Sequence, residues 1–134
     1  MPKKVEKKFD PFSNIAKDII EFEINHPATG EGTGMFIKMH SKCSDACRVL
    51  ENKQAERYKN SVKLSKTGKV ITKDYDPEEV FIQEREDIAS LIIDWSGSDT
   101  PYSPEKAKEL MTAKNMQPIA IQILEAFGDD ANLY

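Results

Sequence analysis

His40, Cys43 and Cys47 stand close together, with His26 upstream across a glycine-rich stretch. Thiolates and imidazoles are the ligands zinc prefers. Cys43 and Cys47 are four apart, so on a helix both sulfurs could share a face. The spacing His-x2-Cys-x3-Cys matches no strong zinc pattern, however, and Cys43 can equally precede the helix. Small, half-buried residues are the simpler reading, and no metal or other cofactor is expected. Gly30-Glu-Gly-Thr-Gly34 lacks the Gly-Lys-Ser/Thr ending of a phosphate loop and joins two strand-like runs. It reads as a hairpin turn. The carboxylates Glu84, Glu86, Asp87 and Asp94 come with no Glu-x-x-His pair, so a solvated helix face is expected. Two histidines and two cysteines offer little material for a nucleophile–base pair. No catalytic set is recognisable.

The elements that would position these residues can be read from periodicity. Residues 1–14 look like a basic, mobile arm, broken at Asp10-Pro11. Ile20, Phe22 and Ile24 alternate with Glu21 and Glu23, and Met35, Ile37 and Met39 alternate after the turn, so residues 15–41 read as a β-hairpin. One face is apolar and needs a cover. A helix starts at Ser44-Asp45 and runs through residues 44–60. Residues 61–75 read as a loop or a small hairpin. Asp76-Pro77-Glu78-Glu79 is a helix start, with Asp76 as N-cap and Pro77 at the first helical position. From there Phe81, Ile88, Leu91, Ile92 and Trp95 recur at helical spacing, predicting one amphipathic helix that ends on Trp95 and stops at Ser96-Gly97-Ser98. Glu79, Glu86, Asp87 and Asp94 form its wet face. Ser103 then caps a helix with Ala107, Leu110 and Met111, and Ile119, Ile123, Ala126 and Phe127 form the stripe of a last one. Residues 128–134 are left as a tail. The expected fold is α+β, mainly α: an N-terminal β-hairpin followed by about four helices packed as a small bundle, in a single domain over 15–134.

Composition narrows the function classes. The charged fraction of 31% against 39% hydrophobic is polar for an enzyme and suits a binding or assembly protein. A net charge of −4 does not point to nucleic acid. Charge is segregated: residues 48–73 carry eight basic residues against Glu51 and Glu56, whereas residues 74–99 carry nine acids against Arg85. Two solvated faces that attract each other or a partner account for this. No stretch approaches membrane-spanning length, and the start is not a signal peptide, so a cytoplasmic protein with free thiols is expected. Trp95 has two readings, as a core anchor or as an interface residue at the end of an element.

One order of motifs suggests a family. An acidic amphipathic segment ends in Asp94-Trp95. A polar turn follows, then Pro101-Tyr102-Ser103-Pro104-Glu105-Lys106-Ala107 and Leu110. This resembles the tail assembly chaperones of long-tailed bacteriophages, in which a tryptophan leads through a turn to Pro-Phe-Ser-x-Glu-Asn-Ala and a leucine. Tyr102 stands in place of the phenylalanine and Lys106 in place of the asparagine. Ile119-Ala-Ile-Gln122-Ile123 and Asn132-Leu133 are similar to the family's last helix and ending, and Phe22 to Gly34 resembles the hairpin opening of related small phage proteins. The resemblance is strongest over residues 74–134.

The resemblance implies a protein without catalysis that binds the phage tape measure protein in the host bacterial cytoplasm. It would keep that partner soluble and help recruit major tail tube subunits. Many such proteins exist in two lengths through frameshifting. The expected partner-binding residues are Phe81, Ile88, Ile92, Trp95, Tyr102, Ile119, Ile123 and Phe127, and a homo-oligomer is compatible. Two alternatives stand beside it: a structural virion protein of the tail or head–tail junction, and a small zinc- or nucleic-acid-binding regulator using the basic stretch from Arg48 to Lys73 and His40, Cys43 and Cys47.

Overall fold

A computed structural model of the chain describes residues 8–64, 70–72 and 76–134. Residues 1–7 of the expected arm, and 65–69 and 73–75 of the expected loop or hairpin, lie outside that set. The fold is α+β and mainly α, with a small antiparallel sheet followed by helices.

The alternating apolar runs form strands β1 (Ile19–Asn25) and β2 (Gly32–His40), paired antiparallel with Phe22 opposite Ile37. Gly30 in their turn and Gly34 near the start of β2 have positive φ. Helix α1 (Asp45–Ser61) follows, its first turn bonded to Ser44, whose Oγ accepts from the Cys47 N–H at 3.1 Å. Short strands β3 (Val62–Leu64) and β4 (Val70–Thr72) pair antiparallel, which favours the hairpin over the loop at those residues. Helix α2 (Pro77–Ala89) begins as expected, with Asp76 Oδ1 accepting from Glu78 N–H at 3.0 Å.

The predicted long helix does not reach Trp95. It ends at Ala89, and Ile92–Ser96 form strand β5, which pairs with β2 and completes a sheet of order β1-β2-β5. The reason lies in one irregularity. Met39 pairs with Ile92 and Lys38 with Asp94, so Ile93 is an extra residue in the ladder. The bulge moves the inward side of the strand from even to odd positions. Ile92 is buried, Asp94 is exposed and Trp95 is half-buried on the inner face. Inward residues three apart imitate a helical stripe. The open edge of β2 and the β-branched pair Ile92-Ile93 favour the strand. Ser96 then ends the strand and Gly97-Ser98 open a turn, with Gly97 at φ +76°.

Helices α3 (Pro104–Thr112) and α4 (Gln117–Gly128) cover the sheet. Ser103 Oγ accepts from Lys106 N–H at 3.0 Å, capping α3. Ile20, Ile24, Ile37, Met39 and Ile92 from the sheet meet Ala107 and Met111 of α3 and Ala120 and Ile123 of α4 in one core. Residues 128–134 are not a loose tail. Asp130–Leu133 make a 3-10 turn, Leu133 is buried in the core, and its carbonyl accepts from Lys17 N–H at 2.8 Å. Lys42 closes the end of α4 by donating to the Gly128 carbonyl at 3.0 Å and pairing with Asp130. The sheet edges are also occupied. Gln122 on α4 accepts from Asn25 N–H and donates to the Asn25 carbonyl, both at 2.8 Å. On β5, Tyr102 Oη donates to the Ile92 carbonyl at 3.0 Å and Asp94 Oδ1 accepts from Trp95 N–H at 2.9 Å.

Candidate functional site

Three separated stretches of chain meet at one groove. The hairpin supplies Ile24, His26 and Met35; the end of β5 and its turn supply Trp95, Gly97 and Thr100; α3, α4 and the 3-10 turn between them supply Leu110, Ile119 and Met116. The cavity measures about 440 Å³ and its lining is mainly apolar. That is within the range of roughly 300–1,000 Å³ for sites that enclose ligand groups.

Local chemistry fixes its walls. Trp95 Nε1 donates to the Thr100 carbonyl at 2.8 Å, which pins the polar turn under the indole. Tyr102 stands edge-on to Trp95, with ring centroids 5.2 Å apart and an interplanar angle of 88°. Burial pushes the Tyr102 hydroxyl above its ordinary pKa, and the charges of Asp94 and Glu105 push the same way, so it stays a donor to Ile92. Gly97 must be glycine. Its φ is left-handed, and a Cβ there would overlap the carbonyl oxygen of Gly34. At the rim, Lys106 Nζ meets Glu109 Oε2 at 3.0 Å, an exposed pair that leaves the mouth nearly neutral. His26 Nδ1 accepts from Ala28 N–H at 3.1 Å, so its imidazole serves the turn.

The expected partner-binding residues divide into four sets. Trp95 and Ile119 line the groove. Ile92 and Ile123 are 3% and 0% exposed and belong to the core, so they present nothing to a partner; Ile92 is turned inward by the strand, and Ile123 sits beneath the sheet. Ile88, Tyr102 and Phe127 are half-buried against that core. Phe81 lies elsewhere, on the first half of α2, with the Arg85 guanidinium 4.8 Å above its ring. Sequence reading missed His26, Met35, Leu110 and Met116 as groove residues. For Met35, Leu110 and Met116 the signal was apolar character in or near the motifs already singled out; His26 carried none for this role.

The residues weighed for zinc are not assembled. His40 is half-buried at the end of β2, Cys43 is exposed, and Cys47 is buried, with Sγ 3.6 Å from Glu51 Oε1. Burial first, then the Glu51 carboxylate, push the Cys47 thiol up and keep it protonated. Among the described residues no three of His, Cys, Asp and Glu are placed to hold a metal.

Asp87 departs from expectation. It was assigned to a wet face and is 6% exposed. Its carboxylate accepts from Arg57 at 2.8 Å, Gln54 at 3.0 Å and Gln83 at 3.0 Å. Burial by itself would raise its pKa, but these three hydrogen bonds and the Arg57 charge outweigh it and hold the carboxyl below its ordinary value. This knot joins α1 to α2.

Among the described residues no helix is long and apolar enough to cross a membrane. No protein-family model, curated protein or solved structure matches the chain.

Proposed function

We propose that this protein is a tail assembly chaperone of a long-tailed bacteriophage, acting in the host cytoplasm. It binds an amphipathic helix of the tape measure protein in the groove between hairpin, β5 turn and α3–α4, without catalysis. One observation supports the reading: residues from three of the segments that hold the family resemblance, the hairpin opening, the stretch from Trp95 to Leu110 and the start of α4 at Ile119, line the same groove. An apolar floor of Met35, Trp95, Leu110, Met116 and Ile119 with a polar, charge-balanced rim suits a helix that lays in apolar anchors. Methionine lets such a floor adapt to differing side chains. Strand addition is disfavoured where Gln122, Tyr102 and Asp94 occupy the sheet edges.

The test is co-expression with a phage tape measure protein. The wild type should keep that partner in the supernatant and co-purify with it. Met116→Glu, at a position 37% exposed on the groove wall, should abolish co-purification while its thermal melt stays near wild type. A tape measure protein that stays wholly insoluble with the wild type would sink the proposal, as would full binding by the variant. Recruitment of the tail tube protein would be read by adding it to the purified complex.

A further inference from the structure

Most polar side chains of the groove are bonded within the protein. Trp95 Nε1 donates to the Thr100 carbonyl, Thr33 Oγ1 donates to the Ile24 carbonyl, and Lys106 is paired with Glu109. Ser98 and Thr100 bring hydroxyls, which turn to donate or accept as a neighbour requires. His26 differs. Its backbone is held on both sides, the N–H donating to the Glu31 carbonyl at 2.7 Å and the carbonyl accepting from Gly30 N–H at 2.8 Å. Its Nδ1 accepts from Ala28 N–H at 3.1 Å. A ring nitrogen that accepts carries no hydrogen, so the turn selects the neutral imidazole with its hydrogen on Nε2. Nε2 has no partner among the described residues, and the ring lines the groove. The hairpin turn thus presents one donor of fixed identity at the groove wall.

We propose that His26 Nε2–H is the groove's donor to its guest, and that it selects a helix carrying an uncharged carboxamide, glutamine or asparagine, beside its apolar anchors. The inference rests on the reading above that the groove docks an amphipathic helix, and it names what that helix must carry. A helix satisfies its own backbone, so the acceptor has to be a side-chain oxygen. A carboxylate fits less well. It would leave water for a donor without charge, and the cation at the rim, Lys106, already holds Glu109. A carboxamide gives up less on leaving water and still accepts. A helix seated in the wrong register would cover Nε2–H and leave it unpaired, which is costly in an apolar groove. The floor of Met35, Trp95 and Ile119 then sets how tightly a helix binds, and His26 sets which register of it is taken.

Synthetic helices titrated against the full chain at neutral pH test it. All carry leucine at i, i+3, i+4 and i+7. The positions beside that stripe are glutamine in one, alanine in a second and glutamate in a third. By fluorescence anisotropy the wild type should bind the glutamine helix about three- to tenfold more tightly than the alanine helix, as one added hydrogen bond allows. Two variants separate the two ring nitrogens. In His26→Asn the side-chain oxygen still accepts from the N–H two residues on, while the donor at the Nε2 position is gone. Its melt should stay near wild type and the preference should vanish. In His26→Gln the turn bond is lost, while an amide N–H reaches to about where Nε2 stood. Its melt should drop slightly and the preference should persist. A wild type that binds the glutamine and alanine helices equally overturns the proposal, as does a His26→Asn variant that keeps the preference. A glutamate helix that binds best would mean a charged ring and overturns it too. So does a wild type that binds none of the helices; co-purification of the tape measure protein then decides separately whether the groove reading stands.

Discussion

Two parts of this molecule are held by opposite means. Around the sheet, Ile20, Ile37, Met39, Met111, Ala120 and Ile123 lock β1, β2, α3 and α4 together by removing apolar surface from water. Beyond Leu50, α1 has almost none of this: residues 51–60 are exposed apart from Arg57. There the hold on α2 includes the Asp87 knot, one carboxylate gathering Arg57, Gln54 and Gln83. Apolar packing is indifferent to pH and adds area by area. A single buried anion is all-or-none, and it answers to protons and to the loss of any one partner. The body is therefore the rigid frame that shapes the groove, and the α1–α2 seam can open without deforming it.

The contrast is broken most severely from the apolar side. Ile123→Ala removes a fully buried side chain beneath the sheet and should cost about 2–5 kcal/mol. A urea titration should show it, with both regions unfolding together. Gly97→Ala should cost about 2–3 kcal/mol through its left-handed φ and its contact with Gly34. Because that turn floors the groove, tape measure binding should fall along with the melt. Asp87→Asn should cost about 1–2 kcal/mol, a charge-assisted bond being lost while the shape is kept. Amide exchange should then quicken in α1 and the first half of α2, with the sheet amides unchanged; an equal rise in the sheet would mean that the seam is not separate.

Acid should act at the same place. Asp87 has a folded pKa below its unfolded one, so its contribution is complete above the unfolded value of about 4. It is lost as pH falls through the folded value. The seam should loosen first on acidification, and Asp87→Asn should remove that dependence. The smallest effect is expected for Arg48→Ala, which breaks an exposed pair with Asp45 and should cost less than about 0.5 kcal/mol.

How far the sequence foretold this structure depends on the range over which each feature is decided. Asp76-Pro77 and Ser103-Pro104 are settled within four residues, and both cap as read. The hairpin is settled by alternation over twenty. Strand β5 is decided by β2, more than fifty residues earlier, and its bulge at Ile93 gives Ile92 and Trp95 the spacing of a helix face. Asp87 reads as a surface residue because its partner Arg57 lies thirty positions upstream on another helix. Leu133 looks like tail until Lys17 is seen to hold its carbonyl. The groove follows the same rule. Trp95 and Ile119 were legible from their types, whereas Met35 and Met116 become wall residues only when three distant segments fold together.

Gln122 adds one more property to the frame. Its amide holds both backbone groups of a single strand residue, Asn25, which only a residue with its N–H and C=O turned away from β2 can offer. The two neighbours cannot substitute: the Ile24 carbonyl is taken by Thr33 Oγ1, and the His26 N–H by the Glu31 carbonyl. A hairpin slipped by one residue would meet α4 with the wrong groups and with its apolar face reversed. Gln122 thus works as a gauge: α4 docks fully only on a correctly registered hairpin, so the last helix proofreads the first two strands.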